Sequence, residues 1–398
     1  MTLKRIRAYA TLIAATLWTM WVVDFSRQGV VDRLGKIKGT DFLQFYVAGS
    51  FIREGRVNEL YDLQPLYARA QAIVPGSRDT IYAPMQSPQT LLALSPVSAF
   101  SYPVAVTIWI VVIALLYTAS CAITWRYCTG LHRHRYETIA CAIAFPGLFS
   151  TVLHGQTSAV ALLAVTAALF ALRHGRPFVA GLAVGCLAFK PHWLLAAGAV
   201  FVALREWRVV FGALMGAAAQ FGVTWFLMGQ AVMAAYWRTL QTVQRLGDLL
   251  EPYPGDSLRS FFKVFVPSET GALIVYLLCA VGTLYVAMRV WRSGASFELR
   301  SSGVVIATLL VSPHAFPYDL ILLAPVFFLL ANWLADHPSY QPSRALSVTL
   351  CALFVAPLLR VLPAPVRLQC SVTAMALLLA WLWQTARSGE TLSASPAK

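Results

Sequence analysis

Runs of apolar residues long enough to cross a hydrocarbon core of about 30 Å recur along the chain, at residues 8–25, 103–126, 137–153, 157–172, 208–228, 272–291, 316–334, 345–361 and 366–386. Shorter runs at 178–190, 192–204 and 302–313 bring the number of spans to about twelve. Two polar interruptions are long, 26–102 and 230–271. Within the first, Phe42, Phe45, Tyr46, Gly49 and Ile52 recur at i, i+3, i+4, i+7 and i+10. This spacing predicts a short amphipathic helix lying in the headgroup layer, with Asp41 at its N-terminus. Leu63, Leu66, Tyr67, Ala70, Ile73 and Val74 repeat the pattern and predict a second surface helix closed by Pro75-Gly76. The residues from 388 to 398 are polar and predict a disordered tail.

Composition turns this pattern into a class. Of the 398 residues 58% are hydrophobic and 12% charged, with a mean hydropathy of +0.65. These values exclude an ordinary soluble protein and predict one all-α, polytopic membrane domain over 1–398, with a structured outer loop at 26–102 and a second at 230–271. The short loops carrying Arg126, Arg133 and Arg135, then Arg173 and Arg176, then Arg205 and Arg208, then Arg289, Arg292 and Arg300 fall on the side of Lys4, Arg5 and Arg7. The positive-inside rule makes that side cytoplasmic. The long loops, and the turns at 154–156, 190–192 and 313–317, then lie at the outer face of the cytoplasmic (inner) membrane.

The formal charge of +14 divides between both faces, and basic residues beside a membrane suit anionic headgroups or lipid-linked phosphates. No nucleic-acid motif is present. The seven cysteines lie in or beside the spans and form no disulfide framework or CxxC metal site in the long outer loops. The first span lacks a small-residue cleavage site and reads as a retained helix.

The polar motifs gather on the outer side. Asp41 is either a helix N-cap or an ionisable group placed to act on a lipid-borne substrate. Lys190-Pro191-His192-Trp193 breaks an apolar run into two short arms. A lysine there either snorkels to the surface or lines a phosphate-binding cavity. His154-Gly155-Gln156-Thr157 is a polar turn between two apolar helices, and Ser312-Pro313-His314-Ala315-Phe316-Pro317-Tyr318-Asp319 interrupts apolar sequence on the same face. His314 can give a hydrogen bond or a charge to a phosphate, with Asp319 placed to orient it. The second long loop interleaves Arg259 and other charges with aromatic residues, a mixture that suits either an interfacial belt or sugar and phosphate contact.

Taken in order, the acidic Asp41-Phe42-Leu43-Gln44-Phe45-Tyr46-Val47-Ala48-Gly49 segment, Tyr82-Ala83-Pro84-Met85-Gln86-Ser87-Pro88, Gly155-Gln156, Lys190-Pro191 and the 312–319 motif resemble the GT-C glycosyltransferases of family 87. That family comprises polyprenol-phosphate-mannose-dependent mannosyltransferases, and the likeness runs from about Gly39 to Leu329. The resemblance implies a GT-C-like fold, a catalytic base at Asp41 and a donor-phosphate ligand at His314. Lys190 matches the broken-span motif and joins His314 at the phosphate. Gln156, His192, Tyr82, Tyr318 and Arg259 become candidate substrate contacts. Ala83 replaces the first of a usual proline pair, and Phe316 and Tyr318 depart from the residues common in the family, which bears on the sugar.

The residues fit that chemistry independently. A sugar on a polyprenyl phosphate carries an activated leaving group, so transfer needs one base for the acceptor hydroxyl and cations for the departing phosphate. One base without a second carboxylate nucleophile predicts single displacement with inversion, with no metal or cofactor. The expected partners are a polyprenyl-phosphate-linked sugar, a lipid or glycan acceptor and membrane lipids. The rival readings are a secondary transporter, which would place ionisable groups at the midplane of several helices, and a membrane acyltransferase, which would use a histidine without Asp41.

Overall fold

The computed structural model of the protein describes residues 2–75, 85–246, 255–361 and 364–393. Helices dominate, and among the described residues the one strand-like pairing is an isolated bridge between Val31 and Ile37. In chain order they are α1 (Leu3–Phe25), α2 (Phe42–Arg53), α3 (Leu63–Ile73), α4 (Pro88–Leu94), α5 (Tyr102–Tyr127), α6 (Arg135–Ala144), α7 (Pro146–His154), α8 (Ser158–Arg173) and α9 (Pro177–Gly185). They continue as α10 (Leu194–Ala203), α11 (Trp207–Leu246), α12 (Leu258–Phe265), α13 (Glu269–Arg292), α14 (Phe297–Val311), α15 (Ala324–Asp336), α16 (Arg344–Val355) and α17 (Ala364–Ser393).

Among the described residues six helical segments are long and apolar enough to cross a membrane: Leu3–Phe25, Tyr102–Tyr127, Thr129–His154, Trp207–Thr242, Glu269–Arg292 and Pro317–Asp336. Shorter apolar helices accompany them, and every apolar run read from the sequence falls on helix. The protein is therefore an all-α polytopic membrane protein. Helices are required because unpaired backbone groups in hydrocarbon cost several kcal/mol each, about the transfer cost of a bare amide.

Helices differ in what surrounds them. Every residue of α14 except Phe297 and Arg300 is buried, and the Pro317–Asp336 segment lies largely inside the bundle. By contrast α11 exposes Phe211, Met215, Trp225, Phe226 and Trp237, the surface a helix presents to lipid tails. The longest interhelical seam joins α9 to α11. Gly181 and Gly185 face Gly212 and Gly216 so closely that a Cβ on any of the four would collide with the opposing backbone. Such small-residue stripes let membrane helices approach when lipid offers no hydrophobic drive to pair them.

Three features differ from the sequence pattern. Helix α2 does not lie in the headgroup layer with one face buried. Phe42, Leu43, Phe45, Val47, Ala48, Gly49 and Phe51 are all buried, because residues 88–100 fold over its other side. Tyr46 Oη donates to the Phe100 carbonyl at 2.8 Å and Arg53 Nη1 to the Ser98 carbonyl at 2.8 Å, which holds that cover down. Only α3 is a surface helix of the kind the spacing predicts, with no fully buried residue. In the second long loop, α11 continues as helix through residues 230–246 after a break at Gly229, whose φ of 82° suits glycine. At the C-terminus α17 runs to Ser393, beyond Ser388 where the polar tail begins.

Candidate active site

The site is built at the end of the bundle where α5 and α8 begin and α7 and α14 finish. Its first half assembles around two glycines. Gly39 (φ 58°) and Gly155 (φ 64°) both occupy the left-handed region, and their backbones pack together. A Cβ on Gly155 would stand 2.7 Å from Phe42 Cβ and 3.4 Å from Gly39 Cα. Helix α5 ties both turns down: Trp109 Nε1 donates to the Gly155 carbonyl at 2.8 Å, and Tyr102 Oη to the Lys38 carbonyl at 2.7 Å.

This apposition sets Asp41 against the 154–156 turn. The Asp41 N–H donates to the His154 carbonyl at 3.0 Å, and Gln156 Nε2 donates to Asp41 Oδ2 at 2.8 Å. Gln156 is only 3% exposed, and its Oε1 accepts the Thr157 N–H at 3.2 Å, which orients the amide so that its NH2 faces the carboxylate. Asp41 occupies the cap position of α2, yet its side chain accepts no hydrogen bond from the first turn. The carboxylate is half-buried and makes that one side-chain bond among the described residues, so acceptor capacity is left over.

The second half is cationic. Lys190 (φ −130°, ψ 81°) breaks the helix between α9 and α10, as Pro191 demands of the residue before it. Lys190 does not snorkel to the surface. Its side chain is 15% exposed, with Nζ 4.6 Å from the Trp193 ring centroid, 5.4 Å from that of Tyr318 and 3.4 Å from Asp319 Oδ1. Asp319 is 1% exposed and takes two further donors, the Ser158 hydroxyl at 2.6 Å on Oδ1 and the Phe316 N–H at 3.0 Å on Oδ2. Asp319 therefore pairs with Lys190 and closes its own turn, instead of orienting His314.

His314 is exposed, its N–H donates to Ser312 Oγ at 3.3 Å, and its ring meets that of His192 edge-on at 6.1 Å. Surrounding protein and the Arg259 guanidinium hold its pKa below the ordinary histidine value, at about 4. That direction favours the neutral ring, with Lys190 and Arg259 the further basic side chains at this end of the bundle. Arg259, half-buried on α12, pairs with no carboxylate among the described residues. His192 Nε2 and Trp193 Nε1 are buried without a hydrogen-bond partner among the described residues, beside Lys190.

Tyr318 links the halves. Its ring contacts that of His154 at 5.6 Å, and its carbonyl accepts the Thr151 hydroxyl at 3.0 Å. The structure thus brings together Asp41 with Gln156, and Lys190 with Tyr318, at one end of the bundle, with His192, His314 and Arg259 adjoining. Tyr82 lies outside the described residues. Ser158 was not singled out from the sequence, nor was a role for Gly39, although a glycine two residues ahead of Asp41 and another directly ahead of Gln156 signal turns. Among the described residues no group of three or more His, Cys, Asp or Glu is arranged to hold a metal ion.

Comparison with known proteins agrees with this architecture. The family model described as glycosyltransferase family 87 matches residues 86–313, a stretch that holds Gln156, Lys190, His192 and Arg259 and stops just before His314. A relative from Mycolicibacterium smegmatis, a polyprenol-phosphate-mannose-dependent alpha-(1-2)-phosphatidylinositol pentamannoside mannosyltransferase, is 25% identical over 194 residues. That alignment covers 48% of this chain and 45% of the relative, so the chain spans about half the length of the curated relative it matches. No solved structure matches. With more than half of its length matched by the family model and a helical membrane fold, the chain belongs to glycosyltransferase family 87.

Proposed function

We propose that this glycosyltransferase moves a sugar, with mannose the first candidate, from a polyprenyl-phosphate donor to a lipid or glycolipid acceptor at the outer face of the cytoplasmic membrane. The observation that carries the reading is the Asp41 carboxylate, which caps nothing, is steadied by Gln156, and lies at the same end of the bundle as Lys190 and Arg259.

In this reading Asp41 takes the proton of the acceptor hydroxyl as its oxygen bonds to the anomeric carbon. The bond from that carbon to the phosphate oxygen breaks, and its electron pair stays on the phosphate. Attack opposite the leaving group inverts the anomeric configuration. Lys190 and Arg259 face the charge that develops, and His314 contributes a neutral N–H. Cations fixed before the reaction stabilise such charge without reorganising at the moment of transfer. The donor dependence of the mycobacterial relative points the same way.

The test is sugar transfer by the purified full-length protein in detergent, with radiolabelled sugars on polyprenyl phosphate and the corresponding sugar nucleotides offered side by side. Label transferred from the polyprenyl-phosphate sugar alone supports the reading. Transfer from the sugar nucleotide alone, or from neither, overturns it.

A further inference from the structure

The carboxylate that meets Lys190 is held independently of it. Ser158 and the Phe316 N–H fix both oxygens of Asp319, at 2.6 and 3.0 Å, from two different segments of the chain. Lys190 approaches at 3.4 Å, longer than the roughly 2.7–2.9 Å of a strong charge-assisted bond, and shares its oxygen with Ser158. Its other close neighbours are the ring faces of Trp193 and Tyr318, which attract a cation but take none of its three N–H donors in conventional bonds. The ammonium is therefore held near the site by a fixed negative charge and still has donors to give.

That arrangement matters because the phosphate changes charge during transfer. A phosphodiester donor carries one negative charge, whereas the monoester left behind carries roughly 1.5 to 2 near pH 7. Two uncompensated cations would hold the product more tightly than the substrate and slow its departure. We propose that Asp319 is the counter-ion of Lys190, keeping the ammonium at the site while weakening its hold on the polyprenyl monophosphate that must leave. Asp319 is then a positioning residue acting through Lys190. The inference rests on the polyprenyl-phosphate reading above.

The sign of the effect separates this role from a structural one. Damage to the fold loosens ligands, whereas removal of a counter-ion tightens an anion. Polyprenyl monophosphate is titrated at equilibrium onto the full-length protein in detergent, so that inactive variants can be compared. Asp319→Asn keeps the size of the side chain and should bind the monophosphate about tenfold more tightly, a modest share of the attraction between two charges about 4 Å apart. In a Lys190→Met background the same substitution should change nothing. Unchanged or weaker binding by folded Asp319→Asn overturns the proposal, as does tightening that persists without Lys190.

If Asp319→Asn does not fold, Ser158→Ala gives the complementary test. Freeing Oδ1 for Lys190 should weaken monophosphate binding two- to threefold, roughly the worth of one modest contact, and tighter or unchanged binding overturns the proposal. Wild-type protein that does not bind the monophosphate at all overturns the donor reading together with this one. Wild-type binding with no change in the variants removes the counter-ion role alone.

Discussion

Two aspartates stand at the same end of this molecule in contrasting surroundings. Asp319 is buried, with Ser158, Phe316 and Lys190 all directed at its two oxygens. Asp41 is half-buried, accepts one hydrogen bond, from Gln156, and has its backbone N–H pinned to His154. A carboxylate engaged by three donors is suited to hold structure in place, whereas one steadied by a single donor keeps more acceptor capacity. The lesson is that the number of donors around an acid, more than its position in a motif, decides which role it can fill.

The comparison breaks most visibly at Asp41. Asp41→Asn keeps an oxygen for Gln156 but cannot take a proton, so sugar turnover should fall about 100- to 10,000-fold, the usual worth of a general base. Thermal stability in detergent should hardly move, since no cap is lost. If turnover stays above about a tenth of wild type, below the loss expected of a base, Asp41 is not the base and the contrast with Asp319 collapses.

On the cationic side, Arg259→Ala should raise the donor KM about tenfold, in line with the 1.5–3 kcal/mol of a hydrogen bond to a charged group, and affect the acceptor KM little. Equal changes in both would mean that Arg259 shapes the site instead of contacting the donor phosphate. The glycine apposition can be tested by Gly155→Ala, which forces a side chain into a left-handed turn and against Phe42. It should cost about 1–3 kcal/mol of stability, with turnover lost in step as Gln156 is displaced from Asp41. Unaltered melting and activity would show that the two turns can separate freely.

The smallest effect concerns His314. Its native pKa, near 4, lies below the unfolded value of about 6.5. Between those values the unfolded chain binds more protons, so stability should decline as pH falls through that window and be unaffected above it. His314→Gln should flatten part of this slope. An identical pH profile for wild type and variant would mean that His314 titrates normally and can carry charge at the phosphate.

Much of the fold was legible because hydrocarbon leaves few choices. Each apolar run had to become helix, and the break at Lys190-Pro191 followed from proline geometry. The motifs at Lys190 and 312–319 were legible as polar groups that interrupt apolar sequence, and Asp41 and Gln156 as polar groups at a helix start and a turn on the same side. The burial of α2 was not, because its cover comes from residues 88–100, and the spacing within a helix says nothing about what folds over its other side. The partner of Asp319 was missed for a similar reason: proximity in sequence favoured His314, while Ser158 and Lys190 arrive from segments 161 and 129 residues away. The Gly181, Gly185, Gly212 and Gly216 seam was not read from the sequence, because which helices approach one another is decided by packing.

By itself, then, the sequence determined the helical membrane class, the apolar runs that become helix, the polar motifs between them and the family to which the chain belongs. These follow from local composition and from the cost of exposing backbone or charge to lipid, which each segment meets alone. The tertiary structure decided which acid meets one donor and which meets three, that Lys190 sits among Trp193, Tyr318 and Asp319, and that Arg259 lies near enough to His314 to lower its pKa. Those properties belong to pairs of groups distant in the chain, and a donor distance or a neighbouring charge exists only once the helices have packed.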